Sequence, residues 1–220
     1  MSEESFRHYS SFLKVGERKH MESLINDGLV FCKPLNYFSQ IESKDFRGDP
    51  NEGVAYIKQV ANLEILIDGK VIGTANQGQL YYRHPDDLGN IYCMYGIETN
   101  TLNLTLKKLQ KFNLNMNGLK FGDTAVFIFD PAEFISRVQK ALELKGFTFQ
   151  YSPIIYYDPE THEGELSPFN KSIKYSEQNE VRFWIPNNLA LDLTVEIGNM
   201  SDISYLISKA EIDALEYEPL

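Results

Sequence analysis

Between the apolar runs LEILI and KVIG stands one dipeptide, Asp68-Gly69. Two residues are the shortest link that reverses a strand, and Asp-Gly takes the left-handed backbone such a link needs. The chain is thereby committed to an antiparallel hairpin. Other short runs rich in Val, Ile, Phe and Tyr predict strands over 29–32, 54–60, 63–67, 79–82, 91–97, 124–129, 147–157, 180–185 and 191–197. Residues 6–13 read as a first strand or an irregular opening, and 212–217 as a last strand. A helix is predicted over 17–26, with Met21, Leu24 and Ile25 on one face and Asp27-Gly28 closing it. A second begins at the Asp130-Pro131 cap and runs to Lys145, with Phe134, Ile135, Val138, Ala141 and Leu142 in one stripe. Ser201-Asp202 reads as the cap of a last short helix. Residues 34–41 form a turn or helical piece, and the stretch 100–118 reads as an insertion or a loosely packed helix. Strands joined by hairpins, with two or three helices packed on them, define an α+β fold: a single domain over 1–220, mostly antiparallel.

Composition narrows the partners. Of 220 residues, 43% are hydrophobic, which suffices for a real core, and the net charge is −10. Phosphate neutralisation needs clustered Lys and Arg, so nucleic acid is unexpected except as the acceptor of a transfer reaction. Lys107, Lys108 and Lys111 form the one basic group, on a segment expected to face water. The acidity instead leaves open docking on a basic protein partner. The N-terminus lacks a secretory pattern, no apolar run is long enough to span a membrane, and two cysteines, Cys32 and Cys93, indicate a reducing compartment. A cytoplasmic location is the expectation.

Metal chemistry finds no motif. His8, His20, His84 and His162 form no ligand pair, and DFRGDPNEG lacks the spacing of a calcium loop. There is no phosphate-binding glycine loop and no nucleophile elbow. What remains is a set of polar residues in three places: Arg7, His8 and Tyr9; Arg47, Asp49 and Glu52; and Lys171, Tyr175, Gln178, Glu180 and Arg182. The densest is KSIKYSEQNEVRF, which ends in the strand VRFWI. Glu180 stands at the strand entrance, where a carboxylate is held rigidly and still faces a cleft, and Gln178 precedes it by two. The plain structural alternatives are a strand-face pair of Glu180 with Arg182, and a turn in RGDPNEG locked by an Arg–Asp pair and a capping Glu.

Two resemblances follow from these residues. The opening FRHYSSFLKVGERKHMESLINDGLVFCKPLNYF, the loop FRGDPNEG and the late K-x-x-x-Y-x-x-Q-x-E-x-R-F run are similar to a large, poorly characterised bacterial and phage domain family. Its members show an aromatic first strand, a short helix, a glycine turn, an apolar strand and an F-x-D-P-x-E loop. The same order, with Gln178-Asn179-Glu180 late in the chain, resembles the ADP-ribosyltransferase superfamily. That resemblance implies NAD as the cofactor-like substrate, with Arg7 or His8 holding the dinucleotide and Tyr9 or Tyr95 stacking on nicotinamide. Where the superfamily has a Ser-Thr-Ser strand, IYCMYGI would supply Tyr92 or Tyr95. Glu180 would stabilise the oxocarbenium-like transition state, and Gln178 would orient the acceptor. The expectation is an NAD-dependent transferase of bacterial or phage conflict, a toxin or defence effector, with a concave pocket where the first and late strands meet. The alternatives are a non-enzymatic phage or mobile-element protein, which would present a flat acidic, Tyr-rich patch including the 42–52 and 158–165 loops, and a degenerate transferase-like fold that binds without chemistry.

Overall fold

A computed structural model describes residues 9–41, 48–85, 88–115 and 120–219. The elements in chain order are β1 (Tyr9–Gly16), α1 (Arg18–Asp27), β2 (Leu29–Pro34), β3 (Val54–Ile67), β4 (Lys70–Arg83), β5 (Asn90–Glu98), β6 (Gln110–Lys111) and β7 (Thr124–Ile128). There follow α2 (Pro131–Leu144), β8 (Gln150–Pro153), β9 (Ile155–Tyr157), β10 (Gly164–Glu165), β11 (Asn170–Ser172), β12 (Glu180–Ile185), β13 (Leu193–Glu196), β14 (Ser204–Ser208), α3 (Lys209–Ile212) and β15 (Glu216–Tyr217). The architecture is α+β and, apart from the parallel β9–β11 pair, antiparallel.

Strand β5 organises the main sheet. One edge carries β12 in full register, from Glu180 opposite Tyr95 to Ile185 opposite Asn90. The other edge is shared by two strands. Its C-terminal part takes β1, with Leu13 opposite Tyr95, and its N-terminal end takes β2, with Lys33 opposite Ile91. Beyond these contacts β1 runs on with β7 and β14, whereas β2 runs with β13. The sheet is therefore split over Tyr92, Cys93 and Met94. Lys14 reaches across the opening, its Nζ donating to the Cys93 carbonyl at 2.6 Å and lying 4.1 Å from the Tyr92 ring centre.

Alternation along the strands gives the sheet two unlike faces. Phe12, Tyr92, Met94, Val181, Phe183 and Ile185 pack with Phe134, Val138 and Leu142 of α2 in the principal core. Asp130 caps α2, its carboxylate accepting from the Glu133 N–H at 3.0 Å, and Gly146 follows at φ 78°. Helix α1 ends on Gly28 in the left-handed conformation; a side chain there would collide with the Gly198 backbone at 2.1 Å. The opposite face carries Leu13, Tyr95 and Ile97 in a smaller cluster. It also carries Glu180 and Arg182, which stand opposite Tyr95 and Cys93 in the ladder.

Several local expectations change. The strands expected at 54–60 and 63–67 are one, because Asn62 takes a positive φ of 55° within a ladder that β4 continues past it. The strand expected over 147–157 is two: β8 pairs with β12, the Ile154 N–H turns to the Glu180 carbonyl, and β9 joins β11. Residues 100–115 are not helical beyond a 3-10 turn. Asn103 accepts from both the N–H and hydroxyl of Thr105, a local bond that competes with helix formation. Ser201-Asp202 caps no helix, since Asn199 binds the Ser201 N–H and hydroxyl and Arg137 binds Asp202. The capping box lies later, between Ser208 and Glu211 at the head of α3.

Candidate functional site

The split in the sheet opens into a cleft of about 640 Å³. Its walls come from β1, α1 and β2, and its floor from β5, β12 and β11, with Glu52 behind. The floor is charged and almost wholly buried.

The floor's charged residues come from two regions distant in sequence, the turn that carries Glu52 and the run from β11 to β12. The turn after Gly48 is held by Asp49, which accepts from the Asn51 N–H at 2.9 Å, and by Arg83, which donates to the carbonyls of Glu52 and Pro50. It aims Glu52 inward. Strand β11 supplies Lys171. A 3-10 segment, Ile173–Gln178, then ends on Asn179 at φ 37°, whose side-chain amide donates to the Gly96 carbonyl. This bend starts β12 opposite Tyr95 and sends Gln178 and Glu180 to the same cation.

Lys171 Nζ lies 2.8 Å from Gln178 Oε1 and 2.6 Å from Glu180 Oε2. Glu180 Oε1 accepts from Arg182 Nε at 2.8 Å. The Arg182 fork grips both oxygens of Glu52, at 2.6 and 2.9 Å, and also donates to the Pro168 carbonyl. Arg182 is 0% exposed, Glu52 3% and Glu180 5%. The Glu180 N–H donates to the Tyr156 hydroxyl at 3.0 Å. Two carboxylates and two cations make a balanced tetrad, as a buried site requires.

Burial alone would push the Glu180 carboxyl up, but Arg182 and Lys171 outweigh it and hold it well below the ordinary carboxylate range. Burial likewise opposes the Lys171 charge, and Glu180 with Glu52 outweighs that and keeps it an ammonium ion. Glu180 is thus held in its charged form, with both oxygens engaged. Burial pushes the Cys93 thiol up to about 12, so the sulfur beside Glu180 stays protonated. Asp49 is buried as well, its pKa raised chiefly by burial, and its Oδ2 has no hydrogen-bond partner among the described residues.

The site residues expected from the sequence fall in three places. Gln178, Glu180 and Tyr95 line this cleft together, and Tyr95 also accepts the Asn115 N–H on its hydroxyl at 3.2 Å. Tyr9 is elsewhere. Its ring packs 5.5 Å from Phe12 and leans on Gly96, because its strand position points to the α2 face. Arg7 and His8 lie outside the described residues, as does Arg47. The expected Arg–Asp lock involves Arg47 and so lies outside the described residues; Asp49 binds the Asn51 N–H, and the expected capping Glu, Glu52, instead binds Arg182 across 130 residues of sequence. Asp49 and Glu52 are therefore unavailable to an acidic surface patch.

Sequence reasoning did not single out the rim. Lys33 Nζ lies 4.4 Å from the Tyr37 ring centre and 4.9 Å from that of Phe31, and bonds Asp192 at 2.8 Å. Lys14, Lys33 and His20 give the mouth cationic and imidazole groups, and Phe31, Tyr37 and Phe38 give it rings. Alternation within KVG and LVFCK carried no mark of this, since the rim exists only where β1 and β2 part. Among the described residues no three His, Cys, Asp or Glu side chains gather as a metal site, and no helix is long and apolar enough to cross a membrane. No protein-family model, curated protein or solved structure matches this chain.

Proposed function

We propose that the cleft binds NAD and that the chain is an ADP-ribosyltransferase-like protein, acting at Glu180 in bacterial or phage conflict. One observation carries the reading: Gln178, Glu180 and Tyr95, from a late strand and the central strand, line one cleft opened by the parting of the first two strands. The cleft volume lies within the usual range for small-molecule sites. The residues fit the ligand. Lys14 and Lys33 suit a diphosphate, and Phe31 and Tyr37 suit a planar base. In the reaction the bond from ribose C1′ to the nicotinamide nitrogen breaks, and nicotinamide leaves with the electron pair. The cationic sugar is then taken by a nucleophile that loses its proton. Because the tetrad is balanced, Glu180 acts at short range. Lys171, Arg182 and the Cys93 thiol take three of the carboxylate's roughly four acceptor positions, which leaves one for a ribose hydroxyl. The unpaired cysteines Cys32 and Cys93 support a reducing, cytoplasmic setting.

The engagement of both Glu180 oxygens favours one second reading: the cleft binds a nucleotide without chemistry, and the tetrad only shapes its floor. Calorimetric NAD titration and chromatography of released nicotinamide separate the two. The companion variant is Glu180→Gln with Lys171→Met, which removes the carboxylate while keeping charge balance. The transferase reading expects both proteins to bind and only the wild type to release nicotinamide. Binding without release by wild type supports the second reading, and no binding at millimolar NAD ends both for this ligand.

A further inference from the structure

Among the described residues, the middle of β5 has a backbone edge that no strand covers. β1 pairs with it as far as Leu13 opposite Tyr95, and β2 takes over only at Lys33 opposite Ile91. Tyr92, Cys93 and Met94 lie between. Backbone groups alternate between the two edges of an antiparallel strand, and the bonds around β5 fix their phase. The Gly96 N–H donates to the Asn179 carbonyl at 2.9 Å, on the β12 side. Glu180, opposite Tyr95, turns its N–H to Tyr156, and its carbonyl accepts from the Ile154 N–H, both away from β5. The Cys93 carbonyl accepts from Lys14, on the β1 side. The peptide N–H of Cys93 therefore points, like its carbonyl, into the parting of β1 and β2, where Cys93 lines the cleft.

This edge is too short to take a strand. Alternation turns the backbone groups of Tyr92 and Met94 toward β12, which leaves Cys93 to face the cleft alone. A single inward N–H suits a single acceptor, and backbone donors inside a protein are rarely left without one. Lys14 decides which kind. Its Nζ bonds the carbonyl of the same residue at 2.6 Å and lies 4.1 Å from the Tyr92 ring centre. The acceptor beside the N–H is thus engaged by an ammonium ion, and the edge presents donors and positive charge. A carboxamide matches a donor and an acceptor side by side. An anionic oxygen, which only accepts, matches this edge better.

We propose that the Cys93 peptide N–H and the Lys14 ammonium together seat one anionic oxygen of the ligand, a phosphate oxygen of the NAD diphosphate. The assignment rests on the reading of the cleft as an NAD site and adds where the ligand is held: at the parted edge of β5, with Lys33 a second positive charge farther out at the rim. The donor belongs to the main chain, so it is set by the split of the sheet and not by the side chain at this position.

Amide magnetic resonance of the full chain tests the seat. The chain has two cysteines, so labelling cysteine nitrogen alone gives two backbone amide signals, told apart with Cys32→Ala. Cys32 lies in the ladder with Leu193 and serves as the internal control. Inorganic pyrophosphate and ADP-ribose are expected to move the Cys93 proton signal downfield and leave that of Cys32 in place, and nicotinamide alone to move neither. Lys14→Met should weaken pyrophosphate binding at least about tenfold, as loss of a charge-assisted hydrogen bond does. Lys14→Arg keeps the charge and should retain most of the affinity, with circular dichroism confirming that both variants fold. A Cys93 signal that stays fixed at millimolar ADP-ribose overturns the proposal. So does one that answers to nicotinamide or to succinate but not to pyrophosphate. NAD that binds without moving the signal overturns the seat and leaves the transferase reading standing. Movement by NAD without release of nicotinamide supports the seat and ends the transferase chemistry.

Discussion

The cleft floor and the arm formed by the β3–β4 hairpin invert the usual partition in opposite directions. The floor hides Glu52, Lys171, Glu180 and Arg182 beneath the sheet, while the arm shows Ile65 to Ile72 to water. The floor is tolerable because every charge has a partner of the opposite sign at hydrogen-bond distance. The arm is tolerable because its backbone bonds are complete along one edge and its β-branched and aromatic residues suit a pleated ribbon. The two regions therefore differ in what a substitution removes. In the floor one change orphans several neighbours. In the arm it orphans none, so little stability is lost.

The largest effect is expected at Arg182. Replacing it with Met leaves Glu52 and Glu180 facing Lys171 alone, and breaking a buried pair in this way costs about 3–5 kcal/mol or more. That is a large share of a typical domain's total stability, so urea titration should show a much lower midpoint or no folded baseline. An unchanged midpoint would mean that the floor is wetter and less coupled than its geometry.

Glu180→Gln comes next. Although Gln is nearly isosteric, it leaves Lys171 and Arg182 with a single carboxylate between them, and a loss of about 3 kcal/mol is expected. Adding Lys171→Met should return most of it. A double variant less stable than the single would show that Lys171 stabilises by something other than charge balance.

Acidity probes the same floor without mutation. Glu180 is held below its ordinary value of 4.5, so its contribution is fully present above pH 4.5 and drains as pH falls below it. Asp49 is shifted the other way and partly blunts that loss. On the alkaline side, the Cys32 and Cys93 thiols ionise near 9.0 when unfolded and at about 12 when folded. Stability should therefore decline from about pH 9 upward. Lys171, raised above its ordinary 10.5, adds to that decline at higher pH. Urea midpoints across pH should form a plateau between these limits, and a steady slope through neutrality would contradict it.

The smallest effect on stability is expected in the arm. Val71→Lys should change the unfolding free energy by no more than about 0.5 kcal/mol, because the side chain is already exposed. A loss of several kcal/mol would mean that the arm is packed against its own body and that the contrast is false.

Much of the scaffold was legible because it rests on neighbours in sequence. Asp68-Gly69 fixes a hairpin, with both residues at positive φ. Gly28 ends α1, and Asp130-Pro131 starts α2. The strand Glu180–Ile185 is set by its own alternation. Local polar signals misled where another residue competed for them, as Asn199 and Arg137 do around Ser201 and Asp202. The site was legible as a set of residues but not as an arrangement. Glu180, Gln178, Lys171, Arg182 and Glu52 all stood out as polar residues beside apolar strands. That Glu180 is pinned, that Glu52 belongs to Arg182, and that Tyr9 turns to the other face depended on strand register. So did the cleft, which exists because β1 and β2 share one edge of β5 and part over three residues. Turn and cap chemistry acts over a few bonds and is written in the chain. Charge pairing and a split sheet act through space between segments as much as 159 residues apart, and only the tertiary fold sets those distances.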